Sequence, residues 1–188
     1  MGNKSLAALV LALSLGLTGC SAQQTPSASP TPTPDSTPTA EASTAPTEAP
    51  TDLVIVEPGK FMTSYGDLIF RAGDGPTWCT LSEAQNVAIC EHSETDALYE
   101  QVPIPDDCSD SYGSQLRLLG KPLAGEQTAG FTCVSSLYSD PSQAPVLASG
   151  ESVTDFGFLC FVEEQSARCE NSNGDYIALG PKAWAHSD

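Results

Sequence analysis

Cysteine is the residue type in this chain best able to do chemistry, and it occurs at positions 20, 79, 90, 108, 133, 160 and 169. Six of the seven lie between Cys79 and Cys169. Structural zinc sites use close pairs such as Cys-x2-Cys, often with histidine. Here successive cysteines from Cys79 onward stand 11, 18, 25, 27 and 9 residues apart, and neither His92 nor His186 falls into a ligand pattern. Disulfides suit the spacing better. Cys79 with Cys90, and Cys160 with Cys169, bracket polar, turn-like stretches at 81–86 and 163–166. A hairpin would bring each pair within the roughly 4.4–6.8 Å Cα separation that a bridge requires. Cys108 and Cys133 then remain for each other, one of about fifteen pairings that six cysteines allow. Each bridge would contribute about 2–4 kcal/mol.

Carboxylates are the next candidates. Asp106, Asp107 and Asp110 surround Cys108, and Glu170, Asn171, Asn173 and Asp175 cluster around and after Cys169. The second run alternates oxygen ligands as a calcium loop does, but it lacks the distal bidentate Glu. Asn173-Gly174 is better read as a hairpin turn. His92 and His186 sit in polar stretches and read as exposed bystanders rather than general bases. No Gly-x-Ser-x-Gly, His-Glu-x-x-His or Ser-x-x-Lys motif is present, and no cofactor motif is found. No thiol remains for nucleophilic work if all seven are lipidated or bridged. Trp78, Trp184 and the tyrosines read as core rather than as a carbohydrate platform.

Cys20 stands apart. Residues 1–5 are polar with one positive charge, Lys4, and 6–17 are apolar apart from Ser14 and Gly16. That is the pattern of an export signal, and it is too short to span a bilayer, which takes about 20 apolar residues. Leu17-Thr18-Gly19-Cys20 resembles a lipobox, in which the cysteine thiol takes a diacylglycerol and the chain is cut just before it. The expectation is therefore a signal peptide at 1–19 and a lipoprotein held on the extracytoplasmic face of the cell membrane through lipid on Cys20. Removing Cys20 from the count also leaves an even number of cysteines for pairing.

Residues 21–52 contain only Ser, Thr, Pro, Ala, Gln, Asp and Glu. With nothing to bury, such a stretch cannot offset the entropy of ordering. Residues 20–52 are expected to form a disordered stalk reaching on the order of 100 Å in polyproline form.

The elements that must position the cysteines begin at Leu53. From there short apolar runs alternate with turn signals such as Pro58-Gly59, Gly73-Asp74-Gly75-Pro76, Gly120-Lys121-Pro122 and Gly180-Pro181. Strands are expected at 53–57, 67–71, 86–91, 115–119, 129–134, 156–162, 166–170 and 175–179. Residues 181–185 are expected to be a helical turn or an irregular end. The fold class is all-β: one small, disulfide-stapled antiparallel domain over 53–188, a barrel or a sandwich. Residues 88–96 also align with 167–175 at a constant offset of 79, Ala, Cys, Glu, Ser and Asp recurring in register. A duplication and two strand ends under similar local constraints both explain this.

Several blocks in order carry a family resemblance: Pro105-Asp106-Asp107-Cys108 with Tyr112-Gly113, Ala129-Gly130-Phe131-Thr132-Cys133, Pro145-Val146-Leu147, Gly157-Phe158-Leu159-Cys160, and Ala167-Arg168-Cys169-Glu170-Asn171 with Tyr176-Ile177-Ala178-Leu179. Over roughly residues 61–184 the chain resembles a family of uncharacterised six-cysteine secreted proteins and lipoproteins of actinobacteria. That family tends to carry Ser-Pro-Ser-Gly-Asn-Ile leading directly to its first cysteine. This sequence departs there, running Thr63 to Phe70 with Cys79 nine residues later. The resemblance implies a compact six-cysteine fold and no particular activity.

Charge narrows the partners. The chain carries −17, and 20 acidic residues face 6 basic ones in 53–188. Nucleic acid and anionic headgroups would be repelled, whereas amines, basic proteins and divalent cations are compatible. The expected function is a non-enzymatic binding or interaction module of the cell envelope, its partner an envelope protein or other surface component. The alternative is a small envelope hydrolase using paired carboxylates, for which two acids suffice.

Overall fold

The computed structural model describes residues 50–187, so the expected signal peptide, Cys20 and all but the end of the stalk lie outside the described residues. No helix of the described residues is long and apolar enough to cross a membrane.

Twelve strands follow one another: β1 (Val54–Ile55), β2 (Leu68–Ala72), β3 (Trp78–Ser82), β4 (Val87–Glu91), β5 (Gln115–Leu119), β6 (Ala129–Phe131), β7 (Val146–Leu147), β8 (Glu151–Asp155), β9 (Phe158–Glu163), β10 (Ser166–Asn171), β11 (Tyr176–Leu179) and β12 (Trp184–His186). Side chains alternate across each strand. Leu68, Phe70 and Ala72 of β2, Cys79 and Leu81 of β3, Ala88 and Cys90 of β4, and Leu116 and Leu118 of β5 all enter one core. Val153, Cys160, Val162, Ala167, Cys169, Ile177 and Leu179 meet them from the other side. The result is a sandwich of two six-stranded sheets, not a closed barrel.

One sheet has the order β7-β2-β3-β4-β5-β6 and the other β1-β8-β9-β10-β11-β12. Apart from β1 and β7 the pairings are antiparallel. β1 runs parallel to β8, and β7 parallel to β2. The two orders are the same pattern, β1 to β6 repeated as β7 to β12. Each repeat hands its first strand to the other repeat's sheet. β4 and β10 keep the offset of 79: Ala88 and Ala167 point inward, and Cys90 and Cys169 each bond to the directly opposed residue of the preceding strand. Similar constraints at two strand ends do not reproduce the order of six strands, so the topology favours duplication.

Four strands lie outside the expected set. β3 lies outside it because its polar Thr80 and Ser82 are buried on the outer face, so that its end at 81–82 reads as part of the turn-like stretch. β7 is only two residues long, directly after Pro145, and β8 falls in the mostly polar run Glu151-Ser152-Val153-Thr154-Asp155. Phe156 and Gly157, expected inside a strand, instead form the turn between β8 and β9, both with positive φ (50° and 85°) as a tight two-residue hairpin requires. The expected helical turn at 181–185 is corrected as well: its end is β12, hydrogen-bonded to β11 through Ala178↔Ala185 and Leu179↔Trp184.

Candidate functional site

All three expected disulfides are present: Cys79–Cys90, Cys108–Cys133 and Cys160–Cys169, with Cα separations of 4.1, 5.6 and 4.1 Å. The first and third cross between neighbouring strands, and their sulfurs meet in the core, Cys90 Sγ lying 3.9 Å from Cys169 Sγ. Cys79, Cys90 and Cys169 thus cluster tightly enough for a metal, but a bridged sulfur carries no thiolate to offer one. These cysteines build the scaffold.

The chemistry lies outside the core, in two cavities. The first is a groove of about 740 Å³ on the β2–β3 side, between residues 61–67 and residues 138–145. One wall is a tight turn: Thr63 N–H donates to the Asp67 carbonyl (2.8 Å), and Gly66 N–H to the Thr63 carbonyl (3.2 Å). Gly66 has φ +90°, a conformation glycine adopts without steric cost. The turn holds Tyr65 at its tip, 93 % exposed. The tyrosines expected in the core therefore include one that has no core role.

The opposite wall is fixed by Glu91, 1 % exposed on the outer side of β4. Its carboxylate accepts from Trp78 Nε1 (3.0 Å), Gln115 Nε2 (2.9 Å), and the backbone N–H groups of Tyr138 (2.9 Å) and Ser139 (3.0 Å). Ser139 Oγ also lies 2.7 Å from Thr80 Oγ1. A buried carboxylate is costly unless its oxygens are satisfied; here four N–H donors satisfy it and clamp Tyr138 and Ser139 onto the sheet. Asp140 follows, with Oδ1 accepting from Ser142 N–H at 2.9 Å. Hydrogen bonds from Ser142 backbone and side chain hold its carboxyl below the usual range.

Thr63, Ser64 and Gln85 add further polar groups to the groove. The Thr63 hydroxyl oxygen is shielded from solvent and finds no hydrogen-bond partner. Aromatic surface, two carboxylates and neutral polar groups can together hold a ligand that is apolar on one part and hydrogen-bonding or positively charged on another.

The second cavity, about 690 Å³, lies in the β4–β5 connection and is lined among others by Tyr99, Tyr112, Glu94 and Asp110. Behind it His92 is fully buried, which corrects its expected exposure. Its position continues the inward-facing series Ala88, Cys90 beyond the end of β4, so the polar stretch Glu91-His92-Ser93-Glu94 misled. His92 Nδ1 lies 2.8 Å from the Ser93 carbonyl oxygen and Nε2 2.8 Å from Tyr99 Oη, which donates to the Gly113 carbonyl at 2.6 Å. A neutral imidazole and a phenol bring two hydrogens to these three contacts. Burial pushes His92 below its ordinary value, against the opposing pull of the Ser93 carbonyl and Asp96. Burial also raises Tyr99 to about 12.

The acids singled out in the sequence do not converge. Asp106 and Asp107 are exposed, and Asp110 alone of that group lines a cavity. Glu170 pairs with Arg168 at 2.8 Å. Asn171 closes the expected Asn173-Gly174 turn, its Oδ1 accepting from Asn173 and Asp175 N–H. His186 stacks on Trp184, which lies edge-on to Phe131. The residues that form the groove, Tyr65, Asp67, Tyr138 and Asp140, carried no motif; an Asp two residues after each tyrosine was their only trace.

Comparison with protein-family models, with curated proteins and with solved structures finds no match to this chain.

Proposed function

We propose that this chain is a lipid-anchored lipoprotein of the extracytoplasmic membrane face whose folded domain is a non-enzymatic binding module, taking its ligand in the groove between Tyr65 and Tyr138. The observation that carries this reading is the Glu91 clamp. It spends a buried carboxylate on holding one groove wall still, and a preformed wall lowers the ordering cost of binding. The export-signal pattern, the lipobox-like run ending at Cys20 and the Pro/Thr-rich stretch after it support the address.

The rival reading, a hydrolase using paired carboxylates, draws on the presence of Asp67 and Asp140 in one groove. Hydrolysis of that kind needs one acid raised so that it can donate a proton. Asp140, held in its ionised form by the Ser142 hydrogen bonds, would suit the base or nucleophile role of such a pair but not the proton donor's.

Two experiments test the proposal. Cys20→Ser should move the protein from the membrane to the soluble fraction, and retention on the membrane would refute the anchor. A photo-crosslinking residue at position 65 in intact cells should capture an envelope component that the same residue at Ser172, exposed on the β10–β11 turn, does not. Identical capture from both positions would refute the groove as the binding site.

A further inference from the structure

Every group lining the groove that is charged at neutral pH is an acid, Asp67 and Asp140, and no lysine, arginine or histidine lines it. We propose that the groove selects ligands bearing an ammonium group, a selectivity that rests on the groove being the binding site.

The argument turns on desolvation. A ligand seated between the 63–67 turn and the 138–145 segment removes water from both carboxylates. Burying a charge without a partner costs far more than burying a neutral group. An anionic ligand adds repulsion, and a neutral ligand leaves both charges uncompensated. A cation supplies the missing partner. Asp140 is held in the ionised form by its hydrogen bonds from Ser142.

The aromatic groups agree with this. An ammonium is drawn to the face of a tyrosine ring within about 6 Å. Tyr65 stands out in solvent on a turn that no core contact requires, and the clamped segment presents Tyr138 opposite. The acidic excess of the domain further concentrates cations near the groove.

The test is a titration of the full chain with three probes, read by shifts of the Tyr65 and Tyr138 ring resonances. The probes are choline, its uncharged isostere 3,3-dimethylbutan-1-ol, and N-acetylglucosamine as a neutral saccharide. Choline should bind about tenfold more tightly than the isostere, and its affinity should fall as salt rises. Asp67→Asn and Asp140→Asn should each weaken choline while leaving the isostere unchanged, with circular dichroism confirming that both variants fold. Equal binding of choline and the isostere, or binding of the saccharide alone, would overturn the ammonium selectivity and leave the groove as a binding site. No shift at either ring with any probe would overturn both.

Discussion

The two repeats share a scaffold and differ in what hangs from it. In the second, β7 to β12, the strands are joined by residues 148–150, 156–157, 164–165, 172–175 and 180–183. In the first, β1 to β6, every matching connection is longer, and three have grown most, to 56–67, 92–114 and 120–128. The groove draws one wall from the first of these and the other from the segment 132–145 that joins the repeats. The second cavity and the His92–Tyr99 pair occupy the 92–114 excursion. Matched positions have diverged to suit. Glu91 is buried under four N–H donors, whereas Glu170, 79 residues on, lies partly exposed against Arg168, which also stacks on Tyr176. Duplication leaves one copy free to stay minimal while the other accepts insertions, since a sheet tolerates loops at its ends far better than changes to its buried face.

The largest break in this comparison should come from the scaffold itself. Replacing Cys79 and Cys90 together by Ala, or Cys160 and Cys169, should cost about 2–4 kcal/mol in urea unfolding, similarly for either pair. A loss confined to one pair would argue that the repeats are not mechanically equivalent.

Next come the matched glutamates. Glu91→Ala strands several buried donors and should cost about 1–3 kcal/mol or more. Glu170→Ala removes one partly exposed ion pair and should cost about 1 kcal/mol or less. Chemical denaturation of the two variants side by side checks this, and equal losses would deny Glu91 its clamping role.

A smaller effect concerns pH, and position 171, occupied by Asn, matches His92. Native His92 titrates below its ordinary value, so the unfolded chain binds its proton first, near pH 6.5. The stability due to its neutral form is therefore complete above about pH 6.5 and is lost as pH falls through the native value, by at most about 1.4 kcal/mol per pH unit. His92→Asn should flatten that decline between pH 7.5 and pH 5. A steeper decline in the variant would mean that protonation, by supplying the third hydrogen to the His92–Tyr99–Gly113 contacts, outweighs the cost of burial.

The smallest change in stability, within about 0.5 kcal/mol, is expected of Tyr65→Ala, because the side chain is 93 % exposed. Its ligand binding should nevertheless drop, separating the groove from the scaffold on which it sits.

How far the fold can be read in advance varies with the residue. The all-β class, the cysteine pairing and most long strands follow from local pattern: alternation, Gly and Pro at turns, and short cysteine spacings. β3 escapes because Thr80 and Ser82, polar yet buried on its outer face, read as turn residues. β7 and β12 escape because strands of two and three residues form only where a neighbouring edge offers hydrogen bonds. The groove was not legible at all, for Tyr65 and Tyr138 stand 73 positions apart, and hydrogen bonds linking Glu91, Trp78 and Thr80 to residues 138–139 bring the second one onto the sheet.

What residue order alone determined was thus composition-driven and local: an acidic, six-cysteine β domain, with two hairpins alike at an offset of 79. Tertiary structure alone decided that the likeness extends to a whole repeated sheet with exchanged first strands, that His92 and Glu91 are buried, and that two tyrosines and two aspartates share one concavity. The physical reason is range. Strand propensity and turn chemistry act over a few residues, whereas burial, buried-carboxylate satisfaction and groove formation depend on which distant segments meet across a packed sheet.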